Sequence, residues 1–363
     1  MSQKFFFRGL NELRALAALS VIVHHLELYC FRDKKTSLYN VSTFEYFINS
    51  IGKNGVYLFF VLSGFLITFL LLKEKEQSDT ISIKNFYLRR VFRIWPLYMI
   101  IIVLSIVVLP VMVFETHFFD SETFYMALLR KEEIYSTTNI LLYVFFLSNF
   151  ALPMVGAAQT WSVSVEEQFY LVWPQIVKRF SRQKLLYAFV LLFVFFLAYQ
   201  ALHLPYSNLL KKIPLEIMAI GGVFAYFWYY HKNRFEKYFE SNGLFALNLI
   251  IIFFGIFFPV PRIIVAVFFG LLILFVITER KWNLRSKWLA FLGTISYGIY
   301  MYHPIMMFIS SAFINKFVQD VWIYKLFLYI LTGSTTILVS YLSYKFVEKR
   351  LIDIKDKKFS SLK

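Results

Sequence analysis

The chain has 363 residues, of which 59% are hydrophobic, 21% aromatic and only 17% charged, with a mean hydropathy of +0.61. A soluble domain runs at about 45–50% apolar and about 25% charged, so a soluble enzyme, a secreted disulfide scaffold and a disordered chain are excluded. The formal charge of +16 does not indicate nucleic acid, because Lys and Arg fall in short clusters between apolar spans and form no basic domain.

The first apolar run starts near Leu10 and contains Arg14, and no small-residue cleavage site follows it. It reads as a retained span and not as a signal peptide. The lone Cys30 can form no intrachain disulfide and is too isolated for a metal site, so no metal is expected. Ten crossings account for the pattern: 10–28, 56–72, 94–114, a composite region within 139–178, 185–202, 213–230, 243–258, 262–278, 289–311 and 322–345. The composite holds two apolar pieces, Asn139–Met154 and Val163–Val177, separated by Val155–Trp161. With the composite as one net crossing and the N-terminus cytoplasmic, 26 Lys and Arg lie inside and 11 outside, which follows the positive-inside rule. One of its pieces is then a broken or re-entrant segment, tolerated at membrane depth only where protein or a water-filled cavity surrounds it.

The expected fold is therefore all-α: a polytopic bundle of about ten membrane helices with both termini cytoplasmic, forming a single domain over 1–363. The loops Tyr29–Gly55, Lys73–Arg93 and Glu115–Thr138 are too short for a soluble domain, and 346–363 reads as a short basic cytoplasmic tail.

Ionisable residues inside a span mark candidate sites. Arg14 and His25 are 11 residues apart on the first span, about three turns, so they share a face about 16 Å apart along the axis. Arg90 and Arg93, spaced i, i+3 before Trp95-Pro96-Leu97-Tyr98, project from one side of a helix and suit a polyphosphorylated ligand. Glu166 and Glu167 are adjacent carboxylates in an apolar helix, costly unless protonated or paired. His303 lies about 21 Å above the start of its span, near the level of His25. Each has a plain alternative: Arg14 snorkelling, Arg90 and Arg93 as positive-inside anchors, one Glu in a capping box with Ser162 or Ser164, and His303 donating to a carbonyl freed by Pro304.

Five segments carry a resemblance: Arg8-Gly-Leu-Asn-Glu-Leu-Arg14-Ala15 running on to His25; Phe59-Phe-Val-Leu-Ser-Gly-Phe-Leu-Ile67; Arg89-Arg-Val-Phe-Arg-Ile-Trp-Pro-Leu-Tyr98; Trp161-Ser-Val-Ser-Val-Glu-Glu-Gln-Phe-Tyr170; and Ile295-Ser-Tyr-Gly-Ile-Tyr-Met-Tyr-His303. In this order, spread over 8–345, they resemble the membrane-bound acyltransferase family 3. The chain departs from the family's pattern at Asn11-Glu12, where an Asp is common nearby, and at His24, where an aromatic is usual; the ten-residue gap after Arg14 selects His25.

The resemblance implies transfer of an acyl group, commonly acetyl from acetyl-CoA as co-substrate with no permanently bound cofactor, onto a hydroxyl of a cell-surface carbohydrate or glycolipid. Under it Arg14, Arg90 and Arg93 receive the CoA phosphates at the cytoplasmic side of the plasma (inner) membrane. His25 is the general base or relay nucleophile. Glu166 is the catalytic carboxylate, since the family varies at the place of Glu167. Trp161, Ser162, Tyr300 and His303 bind the acceptor or stabilise the oxyanion. Some relatives carry an extracytoplasmic hydrolase-like domain; none is expected here, so any such partner would be a separate protein. The alternative from another class is a transporter or flippase with buried His, Glu and Arg along its path.

Overall fold

The computed structural model describes residues 7–112, 129–201, 212–278 and 284–353. Most of the loop expected at 115–138 and the tail beyond residue 353 lie outside the described residues. Among the described residues there is no β-strand. The helices are α1 (Leu10–Arg32), α2 (Ser42–Ser78), α3 (Ile83–Val103), α4 (Lys131–Ile134), α5 (Thr137–Val144), α6 (Thr160–Arg179), α7 (Arg182–Ala201), α8 (Leu215–Phe239), α9 (Asn242–Phe257), α10 (Arg262–Ile277), α11 (Lys287–Thr294), α12 (Ser296–Ile314) and α13 (Val321–Ser343). Wider π-type turns extend α3 through Leu104–Val108 and α13 through Tyr344–Glu348.

Four helical stretches are long and apolar enough to cross a membrane by themselves, Leu10–Arg32, Phe44–Ser78, Ile83–Val108 and Val321–Asp353. The pair α8 and α9 makes a fifth if taken as one span bent by 96°. This falls below the ten crossings expected because several apolar stretches are short, interrupted or interspersed with polar side chains. The stretch expected as one span at 289–311 is interrupted at Ile295, where α11 gives way to α12. Just before the break, the Thr294 hydroxyl donates back to the Ala290 carbonyl at 2.9 Å, a bond that competes with the helix ladder. All-helical secondary structure with apolar spans makes this a membrane protein.

The chain forms two compact units. The first comprises Met1–Leu19, Lys53–Ile81 and Gln168–Thr294; the second comprises Ser20–Gly52, Ser82–Glu167 and Ile295–Lys363.

In the first unit α2 and α8 approach at the level of their backbones. A Cβ on Gly64 would lie 1.9 Å from the Met218 carbonyl oxygen, and one on Gly221 would lie 2.1 Å from that of Val61. Small residues let helices approach where lipid supplies no hydrophobic drive between them. Trp173 donates to Thr68 Oγ1 at 2.8 Å, and Lys75 Nζ donates to the carbonyls of Val177 at 2.7 Å and Phe180 at 2.7 Å, capping the end of α6. The buried Glu216 pairs with Arg262 at 2.6 Å.

In the second unit α12 packs along α13, where Thr332, Thr336 and Ser340 form a buried stripe of small side chains at i, i+4 and i+8. Asp320 caps α13 by accepting from the amides of Trp322 and Ile323 at 3.0 and 2.9 Å.

Gly64→Ala and Gly221→Ala each place a methyl group against an unyielding backbone oxygen. Each is expected to destabilise the protein by about 3 kcal/mol or more. Gly333→Ala, with nothing within 4 Å of the added carbon, should be neutral or stabilising by about 0.5–1 kcal/mol. Thermal unfolding of the detergent-purified variants reads the difference.

Candidate functional site

The second unit joins four of the residues singled out in the sequence. His25 on α1 and His303 on α12 meet at 2.8 Å between Nδ1 and Nε2, with rings stacked at 4.9 Å between centroids and 25° between planes. His303 is buried at 1% exposure. Pro304 has no N–H, which leaves the Tyr300 carbonyl without its usual helical donor. The His303 ring turns back to this stretch, with Nδ1 3.3 Å from the Ile299 carbonyl and a further bond to the Tyr300 backbone. A carbonyl only accepts, so in neutral His303 the proton sits on Nδ1 and Nε2 is the acceptor. His25 then carries its proton on Nδ1, and its Nε2 holds the lone pair of a base. The plain reading of His303 as a satisfier of freed carbonyls is thus correct, and it fixes the tautomer of the pair.

His24 is engaged elsewhere. Its Nδ1 lies 3.1 Å from the Ile48 carbonyl, and a Cβ on Gly52 would fall 2.3 Å from its ring, so α2 packs directly on it. Tyr39, in the turn before α2, has its phenol pushed up to about 12 by burial and donates to Asn49 Oδ1 at 2.9 Å. The choice between the two adjacent histidines follows: His24 holds α1 to α2, and His25 faces His303.

Tyr300 lies one turn before His303, with ring centroids 5.9 Å apart. Its hydroxyl meets Ser162 Oγ at 2.7 Å and the Gln159 carbonyl at 3.1 Å. Ser162 reaches α12 in this way because the chain before α6 is irregular and held by side chains. Helix α5 ends in a Schellman turn, with Leu147 N–H donating to the Leu142 carbonyl at 2.7 Å and Phe146 N–H to that of Tyr143 at 3.2 Å. The left-handed position, usually glycine, is Phe146 at φ +57°, whose ring stacks on Tyr98 at 4.2 Å.

The Asn139 amide then pairs with both backbone groups of Leu152, accepting from N–H at 2.8 Å and donating to the carbonyl at 3.2 Å. The Tyr143 hydroxyl donates to that carbonyl at 3.0 Å and accepts from Met154 N–H at 2.9 Å. Gln159 Nε2 donates to the Gly156 and Met301 carbonyls at 2.9 and 2.8 Å, tying this stretch to α12. The composite region at 139–178 is therefore a short helix, a side-chain-braced irregular stretch and a helix.

Helix α6 begins at Thr160, which puts Glu166 and Glu167 in its second turn, too deep for an N-terminal capping box. Ser164 is paired with Ser148 Oγ at 2.7 Å. Glu166 lies within electrostatic reach of Tyr300 and Tyr297. Glu167 Oε2 accepts from Trp95 Nε1 at 3.2 Å and lies within reach of Arg90. Arg90 also sits over the Phe86 ring at 5.5 Å. The exposed Arg93 lies within reach of Glu348 on the π-type turn after α13. Arg90 and Arg93 thus have different carboxylate neighbours although they share a helix side. Arg14 is half-buried and shares the unbroken α1 with His25, but belongs to the first unit. Trp161 is half-buried at the start of α6.

Two groups escaped the sequence reading. Glu27, 1% exposed, pairs with Lys325 at 2.8 Å and accepts from Tyr329 at 2.5 Å, Ser37 Oγ at 2.9 Å and Leu38 N–H at 2.6 Å. Gln159 gives no signal of its own, being a polar residue in a stretch without periodicity. Among the described residues no group of three His, Cys, Asp or Glu side chains is placed to hold a metal ion.

The profile of the acyltransferase-domain family, acyltransferase 3, matches residues 7–345. A protein of Staphylococcus aureus strain COL named "Putative O-acetyltransferase SACOL0978" is 26% identical over 385 residues, covering 94% of this chain and 57% of the relative. The "Peptidoglycan O-acetyltransferase OatA" of Listeria monocytogenes is 25% identical over 94% of this chain and 55% of its own length. The "O-acetyltransferase OatA" of Staphylococcus aureus strain NCTC 8325 is 23% identical, with 94% and 57% covered. The chain thus spans little more than half the length of the curated relatives it matches. No solved structure matches it significantly. With the match running from residue 7 to residue 345, the chain belongs to the acyltransferase 3 family of integral-membrane acyltransferase domains.

Proposed function

We propose that the protein is a membrane O-acetyltransferase that moves an acetyl group from acetyl-CoA to a hydroxyl of a cell-surface carbohydrate or glycolipid. The observation that carries this reading is the His25–His303 pair, which presents Nε2 of His25 as a base beside the hydroxyl pair of Tyr300 and Ser162. The printed names of the relatives, one of them a peptidoglycan O-acetyltransferase, support acetyl as the group and a surface glycan as the acceptor class. In the reaction the acceptor hydroxyl gives its proton to His25 as its oxygen attacks the thioester carbonyl. The C–S bond then breaks and CoA leaves as the thiol, taking that proton back. The Tyr300 and Ser162 hydroxyls are the nearest donors for the oxyanion, Glu166 orients the site by its charge, and Trp161 contributes to the acceptor wall. Arg14, Arg90 and Arg93 receive the CoA phosphates. The charge distribution supports placement in the plasma membrane with both termini cytoplasmic. Because the curated relatives are longer, a separate extracytoplasmic partner belongs to the proposal.

Purified protein incubated with radiolabelled acetyl-CoA should label an acceptor glycan or itself. A transporter would label neither. His25→Ala should abolish labelling with CoA binding largely kept, whereas Arg90→Ala or Arg93→Ala should weaken CoA binding roughly 10- to 150-fold, the value of one charge-assisted contact. The reverse pattern would exchange the two roles.

Glu166→Gln should remove most of the turnover in a folded protein, because Gln lacks the charge and the acceptor-only character of the carboxylate. Glu167→Gln should cost less, since its Trp95 bond can be kept by an amide oxygen. Near-normal turnover by the Glu166 variant would show the wrong carboxylate to have been chosen.

Cysteines introduced near the N-terminus, in Lys73–Arg93, at 178–184 and at the C-terminus should resist membrane-impermeant thiol reagents applied to intact cells. Labelling from outside at any of the four would refute the topology.

A further inference from the structure

The first unit contains a cavity of about 820 Å³ that has no part in the chemistry above. Its size lies within the roughly 300–1,000 Å³ of small-molecule sites. Its inner wall is aromatic: Trp228 is buried, and Phe69 meets Phe7 and Tyr229 edge to face at 4.8 and 5.3 Å. Its rim carries three exposed cations, Arg8, Lys232 and Arg285. The one carboxylate of the lining, Glu76, accepts from the Tyr229 hydroxyl.

The position of Arg8 is built in. Gly9 follows it at φ +86°, a conformation that L side chains avoid, and a Cβ there would strike Val276 Cγ1 at 2.2 Å. The turn into α1 therefore packs on Val276, itself part of the cavity wall, and leaves the guanidinium at the mouth. Lys232 sits over the Trp228 indole at 5.6 Å, so a cation and an aromatic face are presented together. Arg8, Lys232 and Arg285 also lie in three separate segments that the proposed topology assigns to the cytoplasm.

We propose that this cavity receives the adenosine 3′-phosphate end of the donor, with the adenine against the aromatic wall and the 3′-phosphate among Arg8, Arg285 and Lys232. The proposal rests on the acyl-CoA reading above and deepens it: the pyrophosphate remains with Arg14, Arg90 and Arg93. Guanidinium groups take phosphate oxygens in pairs, and aromatic faces stack on any base. Neither feature is needed by a lipid-facing or purely structural pocket.

Calorimetric titration of the full chain in zwitterionic nanodiscs tests it, with CoA, 3′-dephospho-CoA, adenosine 3′,5′-bisphosphate and inorganic phosphate as probes. The bisphosphate should bind and compete with CoA. Arg8→Gln and Arg285→Gln should each weaken CoA and bisphosphate binding about tenfold while leaving 3′-dephospho-CoA binding nearly unchanged, which also shows the variants to be folded. Wild-type CoA affinity in both variants, or an equal loss for CoA and 3′-dephospho-CoA, would overturn the cavity assignment and leave the acyl-CoA reading standing. Bisphosphate binding absent from the wild type, with the two arginines mattering only in nanodiscs of anionic lipid, would make the cavity a headgroup site and also overturn it. A wild-type protein that binds no CoA in any form would remove the acyl-CoA reading and this proposal together.

Discussion

A polar side chain on a helix that crosses lipid must find its partner within the protein, and α1 carries three of them in five residues. His25 meets His303, Glu27 meets Lys325 and Tyr329, and Tyr29 meets Ser311 at 2.7 Å. Because the three face different directions around the helix, their partners lie on both α12 and α13 and fix the rotation of α1 as well as its depth. The Glu27 cluster is the firmest of these ties, since both carboxylate oxygens are engaged by four groups from two parts of the chain. An uncompensated charge there would cost several kcal/mol, so the cluster is held together by the penalty for breaking it more than by its net attraction. The active histidine stands two residues away and inherits that rigidity.

The irregular stretch between α5 and α6 obeys the same rule with the roles exchanged. There the backbone needs partners, and the side chains of Asn139, Tyr143 and Gln159 supply them. The stretch can leave the helical ladder only because protein surrounds it. What is gained is access: Ser162 and the Gln159 carbonyl come within hydrogen-bond distance of Tyr300.

The parts of this arrangement that can be read from the chain are those with a local signature. Apolar runs give the membrane class, and the ionisable residues inside them, His25, Glu166 and His303, point to the site because lipid makes them expensive. The break in the composite region is legible from its two apolar pieces, although not the side chains that brace it. Asn139 lies next to an apolar run and looks like an end residue, yet it stands in for a strand partner of Leu152. Lys325 pairs with Glu27 across 298 residues, and Gln159 reaches Met301 across 142. Such partners are set by packing, and no periodicity in the sequence carries them. The same limit applies to the capping box, where Ser-x-x-Glu spacing was present but the helix had already begun at Thr160.

The missing amide of Pro304 reaches further than a kink. It leaves His303 bound on one side to backbone carbonyls, which take hydrogen bonds but can neither store nor release a proton. The imidazole pair is therefore a wire closed at its far end. A proton that arrives at Nε2 of His25 can be shared with His303, yet it has no exit through α12 and must leave by the way it came. Such a cul-de-sac conducts nothing across the membrane. It suits a base that borrows a proton for the length of one reaction and returns it to a group on the same side.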